Sequence, residues 1–175
     1  KEIPADMADL DDRQARTLWE AYMEKLICPD YRLTLQQKRR IQNSLKYVLL
    51  SGIEHSDDRV REEMLTIFYR WFDGSHELDE DARFALLDAV FSMPAELCAR
   101  SGRLDCLAEF AVDNMDHEDD RVRVAAVRAL KVLTSVVTRE NACYERVRKA
   151  VTEMDTGSIT MVFLQYRILT NLRLD

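Results

Sequence analysis

Apolar residues recur three and four positions apart along this chain, and short polar stretches divide the runs they form. That spacing puts side chains on one face of a helix, not on the alternating faces of a strand. A first run over about residues 13–27 carries Ala15, Leu18, Tyr22 and Leu26 with Trp19 and Met23, and Pro29 ends it. A second begins after Thr34, where Gln37 three residues on completes a capping-box pattern, and it presents Ile41, Leu45, Val48 and Leu49 until near Gly52. The third starts at Ser56 or Asp57 and reaches about Phe72. Its stripe of Val60, Met64, Ile67, Phe68 and Trp71, with a second face of Leu65 and Phe72, predicts a helix covered on more than one side.

A fourth helix is expected over about 79–91, followed by a short fifth from Pro94 to about Arg100. The sixth carries Leu104, Leu107, Ala108, Ala111, Val112 and Met115. Helix seven, about 119–137, has the cleanest face, made of Val122, Ala126, Ala129, Leu130, Leu133, Val136 and Val137. An eighth is expected over about 140–154 and a ninth over 160–172, with Asp155 to Ser158 as the turn between them. The β-branched runs near Val136 and Ile159 fall within helical periodicity, so no strand is expected. The fold class is all-α, with eight to nine helices.

One phrase occurs twice. Residues 55–61 read H-S-D-D-R-V-R and residues 117–123 read H-E-D-D-R-V-R, and each copy opens a long apolar run. A carboxylate at a helix start accepts free backbone N–H groups and faces the positive end of the dipole, worth roughly 0.5–2 kcal/mol. Asp57 or Asp58, and Asp119 or Asp120, are therefore expected to cap their helices. Arg61 and Arg123, one turn in, are placed to bridge to a neighbouring hairpin's Asp. From His55 to His117 the offset is 62 residues, about twice the ~30–47 residues of a two-helix repeat. Three helices then separate the two marked ones, provided the short helix at Pro94 to Arg100 forms, and that odd number puts both in the same layer of a row of hairpins.

Asp119-Asp120-Arg121-Val122-Arg123 with Ala126 and Leu130, and the matching Asp57, Asp58, Val60 and Arg61, resemble the intra-hairpin turn and second helix of a HEAT repeat, in the HEAT/armadillo superfamily. The resemblance implies a right-handed α-solenoid of antiparallel helical hairpins spanning 1–175 as a single domain. It also implies that Arg61 and Arg123 are structural, joined with Asp residues in a ladder between successive repeats. The start at K-E-I-P and the apolar end from Met161 to Leu174 lead us to expect a piece of a longer solenoid or multidomain chain.

Composition narrows the functional classes. A net charge of −7 with 33% charged residues argues against a whole-domain grip on nucleic acid or an anionic membrane. Apolar residues make up 47% of the chain, and no run of them is long enough to span a bilayer. Cys28, Cys98, Cys106 and Cys143 lack C-x-x-C spacing and read as scattered buried thiols of an intracellular protein of the cytoplasm or nucleus. His55, His76 and His117 read as turn residues without further ligands at metal-binding spacing. No nucleophile elbow, P-loop, H-E-x-x-H or dinucleotide fingerprint is present, so no enzyme activity, cofactor, metal or small-molecule substrate is expected.

Two surface features are candidates for binding. Arg32, Lys38, Arg39, Arg40 and Lys46 form the main positive island of an acidic chain and could meet an acidic peptide or a phosphate backbone. Trp19, Tyr22, Tyr69, Trp71 and Phe72 could hold an exposed hot spot, although most lie on apolar stripes. The expected function is a non-enzymatic protein-interaction scaffold taking a peptide or helix in a solenoid groove. A chromosome-organising, nucleic-acid-associated solenoid that uses the basic island is the alternative.

Overall fold

The computed structural model describes residues 13, 14, 17, 19–21, 33–54, 57–74, 77–100 and 102–173, and no strand occurs among them. Residues 13, 14, 17 and 19–21 are helical. Eight helices follow: α1 Leu35–Ile53, α2 Asp58–Arg70, α3 Glu80–Ser92, α4 Ala95–Arg100, α5 Leu104–Asp113, α6 Asp120–Leu133, α7 Tyr144–Glu153 and α8 Ile159–Arg173. The short α4 forms behind Pro94, so three helices do separate α2 from α6. The chain divides into two units, residues 1–89 and 90–175, and the division falls inside α3.

In the first unit the capping box at the head of α1 is reciprocal. Gln37 Oε1 accepts from the Thr34 backbone N–H at 2.8 Å, and Thr34 Oγ1 accepts from that of Gln37 at 3.2 Å. α1 lies against α2, and Ile41, Leu45, Leu49 and Ile53 are buried, as are Val60, Met64, Ile67 and Phe68. The wide stripe of α2 has the predicted consequence. Tyr69, Trp71 and Phe72 are buried as well, and fully buried Trp19 meets Phe68 edge-on at 5.7 Å. Phe72 meets the same ring at 5.0 Å. Two ion pairs tie α1 to α3, Lys38 to Asp81 and Lys46 to Asp88.

In the second unit α5 packs on α6 and α7, while α8 packs on α6 and α7 in turn. The core there is Leu104, Leu107, Ala108, Ala111, Val122, Ala126, Leu130, Leu133, Val147, Val151, Leu164, Ile168 and Leu172. Side chains satisfy the backbone ends of helices other than their own. Asp105 of α5 accepts from the backbone N–H of Cys143 at the start of α7, at 2.9 Å. Gln165 of α8 donates to the Val151 carbonyl near the end of α7, at 2.9 Å. Asn171 of α8 donates to the Lys131 carbonyl near the end of α6, at 3.1 Å. Such bonds supply partners for the free groups that every helix leaves at its termini.

Two boundaries differ from the sequence expectation. α6 ends at Leu133 instead of Val137, and α7 begins at Tyr144 instead of near Glu140. Past Leu133 the backbone tightens, the Ser135 and Val136 N–H groups donating to the carbonyls three residues back, Val132 and Leu133, at 3.2 and 3.1 Å, and side-chain bonds accompany both shifts. Thr134 Oγ1 donates to the Leu130 carbonyl at 2.7 Å. Asn141 Oδ1 accepts from the Thr138 backbone N–H at 2.8 Å, and the Asn141 N–H returns a bond to the Thr138 carbonyl. The segment from Thr134 to Cys143 is thereby held in turns. Gly74 and Gly102 follow helix ends, and their φ angles of +81° and +67° lie in the left-handed region. Gly52 instead lies inside α1.

Candidate functional site

The repeated phrase builds the same helix start twice. Asp57 and Asp119 are the N-caps, with φ/ψ of −86°/122° and −80°/121°. Each carboxylate accepts from the backbone N–H two residues on, Arg59 and Arg121 respectively, at 2.8 Å. Asp58 and Asp120 then occupy the first helical position and pair with Arg61 and Arg123 one turn along the same helix. Val60 and Val122, at 4% and 0% exposure, anchor each turn in the core.

His117 Nδ1 accepts from the Asp119 backbone N–H at 3.0 Å, and Arg123 Nη1 donates to the carbonyls of His117 and Glu118. Arg123 thus braces its own turn, and its carboxylate partner among the described residues is Asp120. Arg121 chelates Asp119 through Nε and Nη2. That hydrogen bond is the main reason the Asp119 carboxyl is held down to about 2, against a smaller opposing effect of burial. His55 and His76 lie outside the described residues.

The basic island is divided. Arg32 lies outside the described residues. Lys38 bonds to Asp81, a carboxylate only 3% exposed, and this bond raises the Lys38 ammonium above its usual range. Lys46 pairs with Asp88 at 2.8 Å. Arg39 and Arg40 are exposed on α1 and have no carboxylate partner among the described residues. Two of the four described cations are therefore committed to holding α3, so the island presents less free charge than its sequence suggests. The expected aromatic hot spot is core, since Trp19, Tyr69, Trp71 and Phe72 are all buried; Tyr22 lies outside the described residues.

A stripe of exposed apolar residues lies on α8. Ile159, Val162, Phe163 and Tyr166 are 90%, 50%, 56% and 65% exposed, while Leu164, Ile168 and Leu172 on the opposite face are buried. Positions 159, 162, 163 and 166 follow the i, i+3, i+4, i+7 spacing of one helix face. The signal was in the sequence: from Ile159 to Leu172 the apolar residues populate both faces, more than one buried side needs.

Beyond this stripe, towards the end of α8, a cleft of about 410 Å³ opens between α7 and α8. It is lined by Arg139, Arg148 and Arg173, by Glu145 and Thr152, and by Tyr144, Leu169 and Leu172 as its apolar part. The Tyr144 hydroxyl is occupied, donating to the Leu172 carbonyl at 3.1 Å. The three arginines are exposed and have no carboxylate partner among the described residues. Nothing in their sequence spacing announces this grouping, because Arg139 comes from a loop, Arg148 from α7 and Arg173 from the end of α8.

Of the described thiols, Cys98 and Cys143 are buried and Cys106 is half-buried. Burial pushes the Cys98 thiol up to about 11. Burial, with the neighbouring Asp105 carboxylate, pushes Cys143 up to about 12. Among the described residues, no group of three or more His, Cys, Asp or Glu side chains could hold a metal ion, and no helix is long and apolar enough to cross a membrane. No family model matches the chain, and neither the curated proteins nor the solved structures contain a match to it.

Proposed function

We propose that this chain is a non-enzymatic protein-interaction module of HEAT-like helical hairpins, a segment of a scaffold within a larger assembly. The observation that carries the reading is the exposed stripe Ile159, Val162, Phe163 and Tyr166 on α8, a contiguous apolar face of the kind that marks interaction sites. Two features support the HEAT-like part. The phrase at Asp57 and Asp119 makes the same cap and the same ion pair twice. The second unit stacks α5 on α7 and α6 on α8, so that alternate helices adjoin as they do when successive hairpins pile up.

Quantitative co-precipitation from cells tests the function. The intact protein should retain a reproducible protein partner that is lost when Phe163 and Tyr166 are both replaced by Ser. Retention of the same partners by that variant would remove the stripe from the interaction, and the absence of any protein partner would defeat the module reading. Nucleic-acid association through the basic island has less support, because Lys38 and Lys46 are engaged by Asp81 and Asp88.

A further inference from the structure

We propose that the Arg139, Arg148 and Arg173 cleft and the adjoining stripe of α8 together receive an acidic amphipathic helix from a partner protein, an inference that rests on the interaction-module reading above. The stripe supplies two helical turns of apolar surface, from Ile159 to Tyr166, over about 10 Å at 1.5 Å per residue. Its Tyr166 end lies one turn from Leu169, which lines the cleft. An occupant that lays apolar side chains on the stripe therefore reaches the three guanidinium groups within the length of a short helix.

Charge selects the occupant. The chain carries −7 overall, yet this cleft gathers three arginines against one carboxylate, Glu145. With no carboxylate partner among the described residues, these guanidinium groups can make bidentate bonds to Asp or Glu of another molecule. Tyr144, Leu169 and Leu172 give the cleft apolar surface to meet the methylene stems of those acidic side chains. A long polyanion suits the site less well, because Ile159 and Val162 offer aliphatic surface and the remainder of the chain repels phosphate.

The test uses the intact protein and a synthetic fluorescein-labelled helix with Leu along one face and Glu on the others, read by fluorescence anisotropy. The same helix with Lys in place of Glu and a single-stranded oligonucleotide serve as the comparison probes. The Glu helix should bind, weaken as salt is added, and lose roughly tenfold or more in affinity in the Arg148→Glu, Arg173→Glu double variant and in the Phe163→Ser, Tyr166→Ser double variant. Thermal melts of all variants should match the parent, since these side chains are exposed and hold no described ion pair.

Equal binding of the Glu and Lys helices, or affinity unchanged by the arginine reversals, overturns the acidic partner while leaving the interaction module standing. Binding of the oligonucleotide in preference to the Glu helix overturns it in favour of nucleic acid. Self-association abolished by the Phe163 and Tyr166 changes overturns it in favour of a second copy of this chain. If no probe binds, the acidic-helix proposal fails, and the module reading is judged on its own by the co-precipitation.

Discussion

Asp119 shows how much one side chain can do at the head of a helix. Its carboxylate caps α6, chelates Arg121 and follows a turn braced by His117 and Arg123. Replacing it with Ala should cost about 0.5–2 kcal/mol in urea unfolding at neutral pH, and Asp57→Ala should cost a similar amount, because both caps share one geometry. The acid dependence has a definite sign. The folded Asp119 carboxyl is held at about 2, below an unfolded value of roughly 3.9. Its contribution is complete above pH ~4 and is lost as pH falls towards the folded value. The stability gap between the parent and Asp119→Ala should therefore be constant from pH 7 to about 5 and narrow between about 4 and 2; a gap that widens on acidification would contradict the assignment. Burial separates the two α1 lysines in the same way. Lys38→Met deprives a carboxylate 3% exposed of its ammonium, at roughly 1–3 kcal/mol. Lys46→Met deprives one that is 28% exposed, at about 0–1 kcal/mol. Paired denaturation curves should rank them in that order.

Between helices, the fit depends on side chains that serve another helix's backbone. Asp105 holds the N-terminus of α7, and Asn171 and Gln165 of α8 hold the C-termini of α6 and α7. Asp105→Ala should lower stability by about 1–3 kcal/mol, since it leaves the Cys143 N–H without its carboxylate acceptor in a part-buried position. It should also expose a thiol. In the parent, Cys98 and Cys143 are fully buried with thiols raised to about 11 and about 12, so both should react with a disulfide reagent only on unfolding. In Asp105→Ala, Cys143 should label faster while Cys98 does not, as mass spectrometry of timed samples would show. These contacts also mark what the sequence can reveal. Helix identity, the Thr34 and Gln37 capping box and the Asp57 and Asp119 caps were all readable, because each rests on residues within one turn of the other. The early stop of α6 was not, since Val136 and Val137 continue the apolar period while the backbone turns at Ser135 and Val136 to bonds three residues back. Asp105 and Cys143 are 38 residues apart, and no local pattern couples them. The arginine cleft was hidden for the same reason, whereas the basic island looked stronger in sequence because its lysines' carboxylate partners sit on α3.

At the scale of the whole molecule, an acidic chain carries an uncovered apolar stripe on α8, and folding and binding should draw on opposite sides of that helix. Leu164 and Ile168 are 6% and 0% exposed, so replacing either with Ala should cost about 2–5 kcal/mol through lost burial and the cavity left behind. Phe163 and Tyr166 are 56% and 65% exposed, and Ser at both should change stability by no more than about 0.5 kcal/mol each. Removing apolar surface from water-facing positions also weakens any association the stripe drives. Sedimentation at increasing concentration should therefore show the Phe163→Ser, Tyr166→Ser variant to be no more associated than the parent, and less so if the parent associates at all. The comparison is decisive because both faces share one helix and one backbone, so a general weakening of α8 would lower stability in both sets of variants. If Phe163→Ser and Tyr166→Ser unfold the protein as readily as Leu164→Ala, the stripe is part of the folded core and cannot serve as a docking face. If only the Leu164 and Ile168 changes do so, α8 keeps one side for holding α6 and α7 and the other for a partner.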